Sequence, residues 1–411
     1  MPLGNVDRFL SPTGRDLHAS AIRRMGTVVE RHPDLISFAA GYPAADLFPL
    51  DELRAIAVDL LQGDGDVVQY GPTSGYTPLV EALTGEMARR GVTVTTPREL
   101  LVTTGSQQGL DLIARVLVGP DDAVLVELPT FTGALSAFGN ARPRWLAGVR
   151  QDAGGIDLDD LARVTASLRR HGTPPKLLYV VPNFQNPTGR LLSQERRLAL
   201  LEWAEQQDCL IVEDDPYGAL YFEGEVSPEA VRPLKAADRS GRVIYLSSFS
   251  KTLAPGFRVG WMVAPAPLVE RFEIAKQAGD LASGSLDQRI ACEAMRRGVV
   301  DRLVPRLRAT YRARRDALVA SLRSRLDGRL SWTVPHGGFF LWATLPEGEQ
   351  DEALLERALE ERLIFVSGSA FFVDGGHDTI RLAFSAAPEA LIDEGVARLA
   401  RALGRGSVAR S

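Results

Sequence analysis

The chain has 411 residues, 45% hydrophobic and 24% charged, the balance of a globular chain with a sizeable core. That length suits two or three domains, or one large α/β unit with a smaller companion. Its 47 basic and 52 acidic residues give a formal net charge of −5, which argues against a broad nucleic-acid face, and no apolar run approaches the ~20 residues that span a bilayer.

From residue 100 onward the sequence alternates strand and helix patterns. The strand-like runs are Leu100–Gly105, Ala123–Leu128, Arg144–Val149, Lys176–Pro182, Cys209–Asp215, Val243–Phe249 and Val259–Pro265. Several are continuously apolar, as in parallel strands buried on both faces. Amphipathic helices are predicted over Gln107–Val118, Asp157–Arg170 and Ser193–Gln207, the last opened by a Ser cap. This succession predicts a doubly wound α/β domain, whose ligands bind at the carboxyl ends of its strands. Cys209 and Cys292, the two cysteines, read as buried reduced thiols of a cytoplasmic protein, and five scattered His suggest no metal site. Beyond residue 300 an Arg-rich helix (Asp301–Leu326) leads to strands at Ser331–Pro335 and Phe339–Leu345. A helix at Asp351–Arg362, strands at Ile364–Val366 and Thr379–Ser385, and a last helix at Pro388–Leu403 complete a smaller α+β unit. The arginines are read as a face balanced by acidic neighbours, and the tail Gly404–Ser411 as frayed.

Four strand ends carry unusual residues. Lys251, in Ser247–Trp261 (SSFSKTLAPGFRVGW), emerges from a buried strand with Ser248, Ser250 and Arg258 around it. A desolvated lysine near other cations has a lowered pKa and can form a Schiff base, while the hydroxyls and guanidinium suit a phosphate. Asp214, Asp215 and Tyr217 end the strand from Cys209; a carboxylate there can hold a cationic ring nitrogen, and the tyrosine a phenolic oxygen. Asn186 precedes Pro187 in NFQNPTG, which orients its amide. Gly105, Ser106 and Gln107 open a helix whose N-terminal N–H groups can receive an anion. Each feature alone has an ordinary structural reading. Together they describe a ligand with a phosphate, a cationic aromatic nitrogen, a phenolic oxygen and an aldehyde, which is pyridoxal 5′-phosphate (PLP). No G-x-G-x-x-G follows the first strand, so a dinucleotide enzyme is set aside.

With QYGPTSGY (Gln69–Tyr76), PHGGFFLW (Pro335–Trp342) and TIRLAFS (Thr379–Ser385) added to these motifs, the sequence resembles the fold-type I PLP-dependent class I/II aminotransferases from about Ser20 to Leu403. ASAIRRM (Ala19–Met25) and SFAAGYPAADLFP (Ser37–Pro49) are most similar to the 2-aminoadipate and kynurenine aminotransferase branch. The resemblance implies a capping segment over residues 1–45, a large PLP-binding domain over 46–300 and a small domain over 301–411. It makes Lys251 the PLP lysine, Asp214 the partner of the ring nitrogen, and Asn186 and Tyr217 the partners of the phenolic oxygen. Ser106, Gln107, Ser248, Ser250 and Arg258 would take the phosphate, joined across a homodimer interface by Tyr70. Arg381 would clamp the substrate carboxylate, with Ser20, Arg23, Gly41 and Asn186 completing the substrate pocket and Arg23 meeting a distal carboxylate. The implied reaction moves an amino group from an acidic or aromatic L-amino acid to a 2-oxo acid such as 2-oxoglutarate.

Two positions depart from the family pattern. Phe131 stands where a tyrosine often stacks over the ring, and Ser367 replaces the proline of a Val-Pro-Gly. They keep open β- or γ-elimination, replacement or cyclisation on the same scaffold. Regulators that fuse such a domain to a winged helix are the other alternative; about twenty residues before the match leave no room for that module.

Overall fold

The computed structural model describes residues 6–15, 34–63 and 65–408. A two-residue strand β1 (Ile36–Ser37) comes first; then β2 (Leu100–Thr103), β3 (Ala123–Leu128), β4 (Trp145–Asp152), β5 (Gly155–Ile156), β6 (Pro175–Val180), β7 (Leu210–Asp214), β8 (Val243–Ser248) and β9 (Gly260–Val263) form one eight-stranded sheet. Its order is β2-β9-β8-β7-β6-β3-β4-β5. Neighbours from β8 to β4 run parallel, while β9 is antiparallel to both β2 and β8. The reversal of β9 matters for the site. It brings the residues just before β9 to the edge where β2, β3, β6, β7 and β8 end.

Both faces of this sheet are covered, because successive strand residues point to opposite sides. Val124, Val126, Tyr179, Val212 and Leu246 pack in one core with Leu110 and Ile113 of the helix Ser106–Leu117. Leu125, Leu178, Val180 and Ile211 pack in the other with Leu161, Val164 and Leu168 of the helix Leu158–Arg170 and Leu200 and Ala204 of the helix Gln194–Gln207. The doubly wound expectation therefore holds. The predicted cap is present, with Ser193 accepting from Arg196 N, and Asp157 caps its own helix by accepting from Asp159 N and Asp160 N. β4 departs from the buried expectation. It is followed in the sheet only by the short β5, and Trp145 is exposed.

The C-terminal part carries a second sheet of four strands, β10 (Ser331–Trp332), β11 (Phe340–Thr344), β13 (Val366–Ser367) and β14 (Thr379–Ala383), in the order β10-β11-β14-β13. The single strand expected at Ile364–Val366 is divided. Its first part, β12 (Leu363–Ile364), pairs parallel with β1, and the chain then crosses to β13. The long helix spans Val299–Leu326, and its arginines meet acids of neighbouring segments: Arg308 with Glu223, Arg315 with Glu225 and Arg325 with Asp393. The last helix runs from Glu389 to Val408, so the frayed tail expected from Gly404 is helical as far as 408, and residues 409–411 lie outside the described residues. Cys209 and Cys292 are free and buried. Among the described residues no helix is long and apolar enough to cross a membrane.

Candidate active site

The strand ends open on a cleft of about 740 Å³. Ser106, Gln107, Phe131, Asn186, Asp214, Tyr217, Ser248, Ser250, Lys251, Arg258, Gly41 and Arg381 all line it, so twelve of the expected residues converge although they come from distant parts of the chain. Tyr70 does not; it is 84% exposed and does not line the cleft of its own chain. Ser20 and Arg23 lie outside the described residues.

Lys251 follows β8 by three residues. Its Nζ donates to the Gly41 carbonyl at 3.1 Å and lies 5.6 Å from the Phe339 ring centroid. Burial, then the positive charges of Arg381 and Arg258, push its pKa down to about 8, with Asp214 opposing. The amine is thus uncharged above about pH 8 rather than above the ordinary lysine range. Reductive labelling of the cofactor-free protein with a small aldehyde should modify Lys251 about tenfold faster per pH unit up to about pH 8 and then level off. A rise continuing to pH 10 in peptide mapping would contradict this environment.

Asp214 and Asp215 have opposite fates, because neighbours at a strand end point to opposite faces. Asp215 accepts from Arg90, from Asn183 Nδ2 at 2.9 Å, from Gly218 N at 2.9 Å and from Tyr245 Oη at 3.2 Å. It is an internal anchor. Asp214 turns to the cleft; Tyr179 Oη donates to its Oδ2 at 2.9 Å, and its buried Oδ1 has no partner among the described residues. Burial first, and the neighbouring Asp215 charge, raise the Asp214 pKa to about 7, against the Tyr179 hydrogen bond and Lys251. A buried carboxylate with one unpartnered oxygen calls for a cationic donor.

Arg381 sits at the centre of β14, almost wholly buried, opposite Trp342 of β11 and Val366 of β13. Its Nη1 donates to Asn186 Oδ1 at 2.8 Å and its Nη2 to the Ala39 carbonyl at 2.7 Å, while Nε has no partner among the described residues. The Phe340 ring lies 4.3 Å from its Cζ. Burial lowers its pKa to about 10. A buried guanidinium held by neutral groups is a carboxylate receptor. Asn186 also bonds the Tyr217 hydroxyl, whose pKa burial raises. Gly41 fits because any Cβ there would approach the Phe340 ring to 2.7 Å.

The opposite end of the cleft is suited to an anion. Ser248 Oγ donates to Ser250 Oγ at 2.8 Å, and Arg258 Nη1 reaches Ser250 Oγ at 3.4 Å. Gly105 caps the helix Ser106–Leu117 at φ +76, and a Cβ there would lie 2.4 Å from Arg258 Nη2. The first-turn N–H groups of this helix have no intrahelical acceptor. An acid with one unpartnered oxygen, a low-pKa amine and an anion cup in one cleft fit PLP. Sequence reasoning missed Tyr179, Tyr42 and Phe340. Tyr179 was hidden in an apolar run; Phe340 lay in a motif already noted.

Ser367 lies in β13, beside the strand that carries Arg381. It pairs with Ile380 while Val366 pairs with Arg381, so Ser367 projects from the face opposite to Arg381. It does not line the cleft.

A fold and cleft of this kind define an enzyme that uses a lysine amine and a phosphorylated aromatic cofactor, and the comparisons specify which. The model for aminotransferase class I and II matches residues 33–399. Aromatic-amino-acid aminotransferase 1 of Thermococcus litoralis is 40% identical over 98% of this chain and 95% of its own length. The 2-aminoadipate transaminase of Thermus thermophilus is 40% identical over 98% of both chains. A crystal structure of Pyrococcus horikoshii kynurenine aminotransferase superposes with a TM-score of 0.91 at 39% identity, covering 98% of both chains. The chain belongs to the class I and II aminotransferases. It has their fold-type I architecture and is a PLP-dependent aminotransferase.

Proposed function

We propose that this aminotransferase moves the amino group of an aromatic or acidic L-amino acid to a 2-oxo acid, with 2-oxoglutarate as acceptor, in the cytoplasm and as a homodimer. The observation that carries the reading is the pair Lys251 and Arg381 in one cleft, an amine of lowered pKa beside a buried guanidinium without a carboxylate partner among the described residues.

PLP, when bound, withdraws the electrons left at the substrate Cα as its proton departs. Lys251 would hold the cofactor aldehyde before substrate arrives, then take the Cα proton and deliver it to the former aldehyde carbon, two bonds away. Asp214 would offer Oδ1 to the ring nitrogen and keep it protonated, while Tyr179 holds the other oxygen. Asn186 and Tyr217 would bond the phenolic oxygen. Ser106, Gln107, Ser248, Ser250 and Arg258 would bind the phosphate, with the partner chain's copy of Tyr70 completing the cup. The exposure of Tyr70 supports that reach. Phe131 would stack on the ring.

Arg381 receives the α-carboxylate. Its side of the cleft is lined by Tyr42 and Phe340, which suits an aromatic side chain; an acidic one would need Arg23, with Ser20 beside it. The names of the relatives, aromatic-amino-acid aminotransferase and 2-aminoadipate transaminase, support both classes. Elimination or cyclisation rested on Phe131 and Ser367, and Ser367 faces away from Arg381.

Turnover with tyrosine, kynurenine, 2-aminoadipate and glutamate, each against 2-oxoglutarate and pyruvate, tests the substrate reading. The expected result is turnover of aromatic and acidic donors with 2-oxoglutarate preferred; a donor range confined to small aliphatic amino acids would refute it. Arg381→Lys should raise KM for every donor by roughly 10–100-fold, the ~1.5–3 kcal/mol of a lost charged hydrogen bond, with a smaller change in kcat. An unchanged KM would remove Arg381 from this role.

A further inference from the structure

Lys276 lies near the end of the helix Ala266–Gln277 and is completely buried, yet it does not line the cleft. Its Nζ donates to Asp280 Oδ1 at 2.7 Å and Oδ2 at 2.9 Å, to Gln108 Oε1 at 3.0 Å and to Ser283 Oγ at 3.1 Å. All of these contacts lie behind the helix start that faces the cleft.

Gly105, the cap of that helix, has no side chain to hold the first turn. Gln108 substitutes from within the turn. Its Oε1 accepts from Thr104 N at 2.8 Å, a reach-back of the kind a third-position Glu or Gln makes in a capping box. Its Nε2 donates to Asp280 Oδ2 at 2.7 Å, so both ends of the carboxamide are fixed. Thr104 Oγ1 also donates to Asp280 Oδ2 at 2.7 Å and lies 2.9 Å from Ser283 Oγ. From the cleft side, Arg258 Nη2 reaches the Thr104 carbonyl at 3.5 Å. The turn that presents Ser106 and Gln107 is thus held from behind by an ion pair and from the front by a guanidinium.

We propose that Lys276, acting with Asp280 through Gln108, is a positioning residue for the cofactor phosphate, locking the turn at Thr104–Gln107 so that the helix N–H groups converge on one anion. The inference rests on the reading that this turn is the phosphate cup. Donors fixed before binding lose less freedom when the ligand arrives, and affinity rises accordingly. The ammonium is buried but the Asp280 carboxylate is partly open to solvent, and a pair with a solvated end gives little net fold stability, so its effect is expected in the geometry of the turn.

The test compares PLP with pyridoxal, the same ring and aldehyde without the phosphate. Dissociation constants for both are measured by fluorescence quenching on cofactor-free protein, for Lys276→Met and for Gln108→Ala, with Tm recorded for each. Gln108 is only half-buried, so Gln108→Ala decides the matter alone if Lys276→Met does not fold. The expected result is PLP binding weakened about tenfold or more in both variants, with pyridoxal binding changed by less than about twofold. Equal weakening of both ligands, or of neither, overturns the inference. Arg258→Ala separates the two layers. If it selectively weakens PLP while Lys276→Met and Gln108→Ala do not, the cup stands and the positioning role fails; if no variant discriminates between the ligands, the cup assignment itself fails.

Discussion

Lys251→Ala is expected to lower amino transfer by roughly 10³–10⁴-fold or more while the protein still folds and binds PLP reversibly. In the proposed mechanism the lysine is both the attachment point and the group that moves the proton, and among the described residues no second lysine lines the cleft. Its main polar contact is the Gly41 carbonyl, a neutral group on a partly buried segment, so truncation should cost little stability. Three measurements check this: single-turnover rates, the cofactor absorption spectrum, and borohydride reduction, which should no longer fix the cofactor to the chain. Retained turnover would require a different amine. External methylamine should restore a small part of the rate if only the proton transfer is missing.

Asp214→Asn is expected to lower kcat by about 10²–10³-fold, the range for losing one preorganised electrostatic partner in a water-poor site. The amide keeps the size of the carboxylate and can still accept from Tyr179 Oη. It cannot hold a proton on the ring nitrogen. Affinity for PLP should fall as well, because the ring nitrogen loses its charged partner. The expected pH dependence follows from the acid's raised pKa. Before cofactor binds, Asp214 ionises near pH 7, so the protein competent to receive a protonated ring nitrogen grows as pH rises through 7. PLP affinity should therefore fall below pH 7 in the natural protein and lose this step in Asp214→Asn. Equal pH profiles for the two proteins would remove Asp214 from this role.

The residues legible from sequence share one property: each stands where an apolar run stops. Asp214 ends β7; Lys251, Asn186 and Ser106 follow β8, β6 and β2, and a parallel sheet with one reversed strand carries them, with Arg258, to one edge. The helices that were legible had caps, as at Asp157 and Ser193. The helix Thr132–Asn140 (TGALSAFGN) was not, since two glycines and small residues weaken both propensity and stripe. The division of labour between Asp214 and Asp215 depends on Arg90 and Tyr179, which lie far away in sequence. Lys276 was invisible for the same reason: of its three partner residues, Gln108 lies 168 positions away, and its effect passes through Thr104. The face of Ser367 was not legible, because a strand residue's face depends on register, and register with β14 is set by pairing rather than by local pattern.

The central claim, that this cleft uses Lys251 and Asp214 to move an amino group onto PLP, is tested most directly by one half-reaction. PLP-loaded protein is mixed with a single amino acid in the absence of any 2-oxo acid, and the cofactor and released products are quantified together. The account predicts one pyridoxamine phosphate and one matching 2-oxo acid formed per active site, after which the reaction stops. Continued product release with the cofactor still in the aldehyde form would contradict it, and would mean that the cleft performs elimination, replacement or ring closure instead.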